Sequence, residues 1–211
     1  MKPRDQRAAL CDALAGVAPD APTLCEGWTA HHLAAHVWLR ENDPVAAAGI
    51  GVPALAQRTD RRIDQLVAER DYAGLVAAIR RGPGRLSPFR LPGMEAAANT
   101  IEFFVHCEDV RRGGGNNTPR EPDPALEEIA WKRAAPMARL LLRRVPVAVW
   151  LSRDVPPEEP VRIGRGPDIV TLHGRPTELL LYLFGRRQAA DVEVFGEPAA
   201  VRLVQRAKLG V

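Results

Sequence analysis

Ile101-Glu102-Phe103-Phe104-Val105-His106-Cys107-Glu108-Asp109 places a carboxylate and an imidazole four residues apart inside an apolar run. The surrounding residues 93–112 have no internal Gly or Pro, are rich in helix formers and stop at Gly113-Gly114-Gly115, which predicts a helix. At about 100° per residue, Glu95, Asn99, Glu102, His106 and Asp109 share one stripe. Ala98, Ile101 and Val105 flank it on one side, Phe103 and Val110 on the other. The stripe therefore lies in the middle of the apolar face and points inward. Buried charges are normally paired or bound to metal, because an unpaired one costs several kcal/mol. Two readings satisfy the stripe. Side chains at i and i+4 stand about 5 to 6 Å apart at Cβ, close enough to hold one cation together. Alternatively, an arginine from a neighbouring helix closes a salt-bridged core cluster.

The 211 residues are 46% apolar and 26% charged, a composition that supports one or two domains with a real core and excludes a disordered chain. No apolar run is long enough to span a membrane. Met1-Lys2-Pro3-Arg4-Asp5 lacks the apolar stretch of a secretory signal, so a cytoplasmic protein is expected. The three cysteines, Cys11, Cys25 and Cys107, show no C-x-x-C spacing and are odd in number. This argues against a disulfide framework or a thiolate zinc site and for buried thiols. A net charge of +3 invites a nucleic-acid partner. However, pairs such as Arg61-Arg62, Arg80-Arg81, Arg111-Arg112, Arg143-Arg144 and Arg186-Arg187 are dispersed at predicted helix ends, where cations complement the dipole. No stacking-aromatic pattern accompanies them, so neither nucleic acid nor membrane is expected as a partner. Only three of the 29 basic residues are lysine; with abundant Ala, Gly and Pro, that is the composition of a high-GC bacterial genome, an association rather than a physical argument.

Residues 1–145 read as essentially all-helical. A first helix is predicted at 5–17 and a second after Thr29, which serves as N-cap, with Trp28 packing on Leu33 as a hydrophobic staple. Asn42-Asp43-Pro44 stops it. In that register His36 lies between Leu33 and Leu39 on the inward face, His32 one turn earlier, and His31 on the opposite side. A histidine on an apolar face is either a hydrogen-bonded core residue or a ligand, and His32 with His36 forms another i, i+4 pair. A Gly/Pro/Ala loop leads to a helix at 54–69, and Asp71 caps another ending at residue 81. Gly82-Pro83-Gly84 then opens a long loop to Leu91-Pro92, of a length used for lids and rims. A helix at 124–144 should kink at Pro136.

From residue 146 the pattern changes to short strands at 147–151, 161–163 and 169–172. A helix at 177–184, apolar nearly all round and stopped by Gly185, a strand at 192–195 and a helix at 198–209 follow. The expected fold class is α+β: a helical domain at 1–145 and a small α/β domain at 146–211. The latter is too small to be comfortable alone and is expected to dock on the helices.

Three stretches together carry a resemblance. Cys25-Glu26-Gly27-Trp28-Thr29 precedes Leu33 and His36; Glu102-x-x-x-His106-x-x-Asp109 follows; and Gly174-Arg175-Pro176-Thr177-Glu178-Leu179-Leu180 leads to Phe184-Gly185-Arg186. In this order and spacing they resemble the DinB-like superfamily, and within it the branch of mycothiol-dependent maleylpyruvate isomerases and their actinobacterial metal-binding relatives. The resemblance implies an N-terminal four-helix metal-binding bundle with a small C-terminal α/β domain. It also implies that His36, Glu102 and His106 are the three protein ligands of a divalent metal, with an open position for water or a substrate thiolate. Zinc suits that ligand set best. Mycothiol would be the co-substrate and an electrophilic alkene its partner. Asp109, one turn after His106, would orient it or carry a proton, unless it is an ion pair with Arg112 or another arginine. Arg186 would contact an anion or thiol. His32 stands where such relatives carry an acidic residue able to complete a capping box, which leaves its role open. Cys107 falls on the opposite face and is counted neither as ligand nor as nucleophile. The implied function is a thiol-dependent isomerase or S-transferase. The alternatives are a metal-binding protein without turnover and a salt-bridged module without metal.

Overall fold

The computed structural model describes residues 5–84, 87, 94–154 and 159–210, without the side chains of 51, 53 and 94–98. The Glu95 side chain and most of the expected lid loop therefore lie outside what is described. The chain forms two compact units, Asp5–Asn116 and Asn117–Gly210.

The first unit is helical: α1 (Gln6–Ala15), α2 (Ala30–Asn42), α3 (Pro44–Gly51), α4 (Ala56–Glu69), α5 (Tyr72–Arg81) and α6 (Met94–Arg112). Short polar side chains start these helices where orphan N–H groups need acceptors. Asp5 accepts from the Arg7 and Ala8 amides at 3.0 and 3.2 Å, and Asp71 accepts from Gly74 N at 2.7 Å. α1 packs on α5 and α6, and α2 packs on α4 and α5. Leu10, Leu14, Leu33, Leu39, Leu75 and Ile79 fill the core between them. Arg7 of α1 grips Glu41 of α2 through two hydrogen bonds of 2.7 and 2.6 Å, with Glu41 fully buried.

Residues 44–51, expected as loop, are helix α3. Asn42-Asp43-Pro44 does end α2, but the same residues begin the next helix: Asp43 accepts from Ala46 N at 3.0 Å, and Pro44 sits in the first turn, where its missing N–H costs nothing. Ala46, Ala47 and Ala48 then propagate it.

The second unit contains α7 (Pro124–Leu141), β1 (Ala148–Ser152), β2 (Val161–Ile163), β3 (Ile169–His173), α8 (Pro176–Leu183), β4 (Glu193–Gly196) and α9 (Pro198–Arg206). The sheet order is β2-β1-β3-β4, with β1 and β3 parallel and both outer pairs antiparallel. α8 is buried all round, as its composition predicts, and ends at Gly185, whose φ of 90° is left-handed. Glu127 of α7 accepts from both the amide and the hydroxyl of Thr177 at 2.9 Å, which ties α7 to the first turn of α8. α7 is one assigned helix through Pro136.

The boundary differs from the expected division at 145/146. Ala134, Ala138 and Leu142 share a core with Val149, Leu151, Val170 and Leu172, so α7 belongs with the sheet. A four-stranded sheet needs an apolar cover, and α8 with α9 alone leaves part of it bare; the small-residue face of α7 supplies the rest.

Candidate metal centre

Helix α6 delivers Glu102 and His106 from consecutive turns, and α2 delivers His36. The two imidazoles meet edge to face, 5.1 Å between centroids at 73°. His36 and His106 are 6% and 7% exposed. One nitrogen of each and a Glu102 oxygen all lie within 4.8 Å of one another. Ligands held at roughly 2.0–2.2 Å in a tetrahedron stand about 3.4 Å apart, so side-chain shifts of about an ångström close the set on an ion.

The hydrogen bonding around these rings is unequal. His106 Nδ1 pairs with Asp109 Oδ2 at 3.0 Å, and Asp109 is fully buried. His106 Nε2 is 3.5 Å from Glu102 Oε1, too long for a good hydrogen bond, and has no partner. His36 Nδ1 is likewise buried without one. A carboxylate accepting from one ring nitrogen while the other stays open is the arrangement that holds metal-ligating histidines in the right tautomer. Arg112 donates from Nε to Glu108 at 2.6 Å.

Charge follows the same geometry. Burial, reinforced by His106, pushes His36 down to about 3. Burial raises the Glu102 carboxyl, but His106, Arg40 and His36 outweigh it and hold the group at about 2. For His106, burial is overcome by the Asp109 carboxylate, Cys25 and the Glu102 carboxylate around the ring, and it is raised well above its ordinary value. Two carboxylates facing one imidazole thus favour positive charge at this point, and a divalent cation answers the same field.

Two neighbours escaped the sequence reading. Arg40, one turn beyond His36 on α2, lies 3.9 Å from Glu102 and donates to Asn99 Oδ1 at 2.6 Å. Its i+4 spacing from His36 was the available signal. Cys25, read only as a buried thiol, is half-buried and donates to Asp109 Oδ2 at 3.2 Å. No periodicity announces it, because it lies in an irregular turn. His32 turns away to its own helix start: its Nδ1 lies 2.8 Å from the Thr29 hydroxyl and 3.4 Å from the Thr29 amide, so it fills the capping-box position itself. His31 is half-buried beside Arg70 O and Tyr72. Cys107 is buried in the helical core. Arg186 belongs to the second unit, where it donates to Phe184 O at 2.5 Å.

No family model matches the sequence. Two Mycobacterium tuberculosis proteins, uncharacterized proteins Rv0738 and MT0763, are each 34% identical to it over 145 residues, covering 61% of this chain and 75% of theirs. Among solved structures, a crystal structure of a point mutant of mycothiol-dependent maleylpyruvate isomerase superposes with a TM-score of 0.55 at 18% identity, over 90% of this chain and 89% of that one. The chain belongs to the same family as these mycobacterial proteins and shares the fold of mycothiol-dependent maleylpyruvate isomerase.

Proposed function

We propose that this chain binds one divalent metal ion through His36, Glu102 and His106, and that it works as a thiol-dependent isomerase or S-transferase with mycothiol as co-substrate. The observation that carries the metal reading is the distribution of unsatisfied atoms. Among the described residues of the helical unit, the buried side-chain nitrogens without a partner are His36 Nδ1, Asn99 Nδ2 and His106 Nε2. All three belong to the α2 and α6 faces that carry the ligand set. Two nitrogens and one oxygen with an open fourth position suit zinc first. Bound there, a divalent ion would act as a Lewis acid that makes a thiolate available at neutral pH.

Two of the three proposed ligands already stand in their binding forms, while His106, raised well above its ordinary value, must release a proton to bind. His36 at about 3 is neutral at pH 7 and Glu102 at about 2 is ionised, which are their ligating forms. Asp109 holds His106 by Nδ1, and we assign it the proton-carrying role. We read α1, α2, α5 and α6 as the four-helix bundle of this fold, and Arg186 as a contact for an anionic or thiol group of the co-substrate. The reaction class comes from the structural neighbour's activity. A thiolate adds to a conjugated double bond, the resulting single bond rotates, and elimination returns the isomerised alkene with the thiol released.

Elemental analysis of the purified protein tests the first step: one divalent ion per chain is expected, absent from His106→Ala. Thiol-dependent turnover of an electrophilic alkene, lost in His36→Ala and Glu102→Ala, tests the second. Protein that retains no metal and binds none on titration overturns the proposal. That result would favour the salt-bridged module, the reading to which Arg40 beside Glu102 lends support.

A further inference from the structure

We infer that the turn around Cys25-Glu26-Gly27-Trp28 is the support of the metal centre, and that Cys25 is a positioning residue that holds His106 through Asp109 without being a ligand itself. The inference rests on the metal reading above.

The turn is pinned to α6 and to itself. Leu24 N donates to Asp109 O at 3.0 Å, Cys25 N to Thr23 Oγ1 at 3.2 Å, and Thr23 Oγ1 to Trp28 O at 2.9 Å. Gly27 takes φ 77°, a left-handed conformation that side chains disfavour. Gly113, just past α6, allows the approach: a Cβ there would overlap the Pro22 carbonyl oxygen and sit 2.6 Å from Thr23 Cα. Held this way, one turn touches both imidazoles. The Trp28 ring lies 5.0 Å from His36, and the Cys25 thiol donates to the same Asp109 oxygen that pairs with His106 Nδ1.

Cys25, His106 and Asp109 also fall within ligand reach of one another, so a thiolate-bound ion is the competing assignment. The hydrogen bonds decide against it. On that side of the His106 ring every atom has a partner: thiol to carboxylate at 3.2 Å, carboxylate to Nδ1 at 3.0 Å. The unpartnered nitrogen, Nε2, belongs to the set with His36 and Glu102. On binding a cation the His106 ring gives up its Nε2 proton, and Nδ1–H pointing at Asp109 directs the lone pair so formed through Nε2. The thiol adds a donor to the very Asp109 oxygen that His106 Nδ1 uses, and that is the contribution of Cys25.

The test is cobalt(II) and zinc titration of the full-length protein. Asp109→Ala should weaken binding by roughly 10- to 100-fold, as outer-shell partners do, and Cys25→Val by roughly tenfold, the low end of that range. Cys25→Ser, which keeps a donor, should bind within about twofold of the wild type, on the same outer-shell argument. Cys25→Val should cost nothing further in the Asp109→Ala background, a coupling that a merely structural role would not produce. Cobalt-loaded wild type should show no sulfur-to-metal charge-transfer band. Equal affinity for Cys25→Val and wild type, or the appearance of that band, overturns the inference while leaving a bound metal in place. A wild type that binds no metal sinks the earlier reading instead. In that event the His106 Nδ1–H signal in metal-free protein still decides: its solvent exchange should quicken in Cys25→Val and not in Cys25→Ser, and an unchanged rate refutes the positioning role.

Discussion

Replacing His36 by leucine separates a ligand from a core histidine, because the two predict different stabilities when metal is absent. The ring is 6% exposed and packs against Trp28 and His106 at 5.0 and 5.1 Å. Removing those aromatic contacts costs about 0.5–1.5 kcal/mol each. Against this, leucine removes a buried Nδ1 that has no hydrogen-bond partner, a penalty of about 1–3 kcal/mol in the wild type. The two nearly cancel, so in chelator His36→Leu should unfold within about 1 kcal/mol of the wild type. A hydrogen-bonded core histidine would leave its partner stranded as well as losing the ring contacts, and the loss would reach about 2–5 kcal/mol. With zinc at a hundred times the dissociation constant, the wild type should gain about 2.7 kcal/mol and the variant nothing. The assay is urea unfolding of the helical unit in chelator and in zinc. Acid adds a second signature. His36 titrates near 3 in the folded protein and near its ordinary 6.5 in the unfolded chain, so the unfolded chain takes up the proton first. That stability is present above pH 6.5 and is lost as pH falls towards 3; the variant should lack this share of the decline. A loss of 2 kcal/mol or more in chelator would refute the reasoning.

Four other outcomes follow from the same coordinates. Glu41→Ala removes two hydrogen bonds and the counter-charge of the Arg7 guanidinium, which keeps its 2.9 Å bond to the Ile79 carbonyl, and should cost about 3 kcal/mol, the low end for breaking a buried pair, in denaturant titration. Burial raises the Cys11 thiol from 9.0 to about 11, so its contribution is whole below pH 9 and fades as pH rises to 11. Between pH 8 and 10.5 the wild type should therefore lose about 2 kcal/mol more than Cys11→Val, measured by chemical unfolding. Gly113→Ala should push the 22–25 turn off α6, lowering both thermal stability and zinc affinity in parallel titrations. A fragment of residues 117–210 should be soluble and cooperatively folded by circular dichroism, whereas 146–210, deprived of Ala134, Ala138 and Leu142, should aggregate.

What could be read in advance was whatever repeats along a helix or strand. The Glu102 to Asp109 spacing placed the inward stripe on α6, and Thr29 fixed the register that turned His36 inward, because both depend only on 3.6-residue geometry. α3 was missed because Asp43-Pro44 is at once a stop and a start, and local chemistry does not choose between them. The unit boundary was misplaced for a different reason. The apolar face of α7 is evident in its period, but which core it covers is a tertiary fact, settled by the sheet beneath Ala134 and Ala138. Cys25 was illegible as a neighbour of Asp109: the two are 84 residues apart, and the turn that joins them has no period. Asp109 stood open in the sequence between His106 and an arginine, because spacing alone does not say which neighbour a buried carboxylate meets; the structure sets it 3.0 Å from His106 Nδ1.

The helical unit also contains its own control for the salt-bridge alternative. Two buried ion pairs of this unit are closed tightly. Arg7 meets Glu41 through two bonds of 2.7 and 2.6 Å, and Arg112 meets Glu108 at 2.6 Å with both side chains almost fully buried. Arg40 does not treat Glu102 that way. It stops 3.9 Å short and places its 2.6 Å hydrogen bond on Asn99, while Glu102 Oε1 stands 3.5 Å from His106 Nε2. A stripe serving only cohesion would be expected to relax into the tighter geometry the same unit achieves twice, because each unsatisfied buried nitrogen costs about 1–3 kcal/mol. An arrangement that keeps two imidazole nitrogens unpartnered and a carboxylate ionised between them is what a ligand set requires before its ion arrives, when preorganisation is maintained at the expense of stability. Filling the gap should then stabilise the unit. Zinc raising the unfolding midpoint of the wild type but not of His36→Leu is the outcome that argument requires, and a midpoint indifferent to metal would return the stripe to the salt-bridge reading.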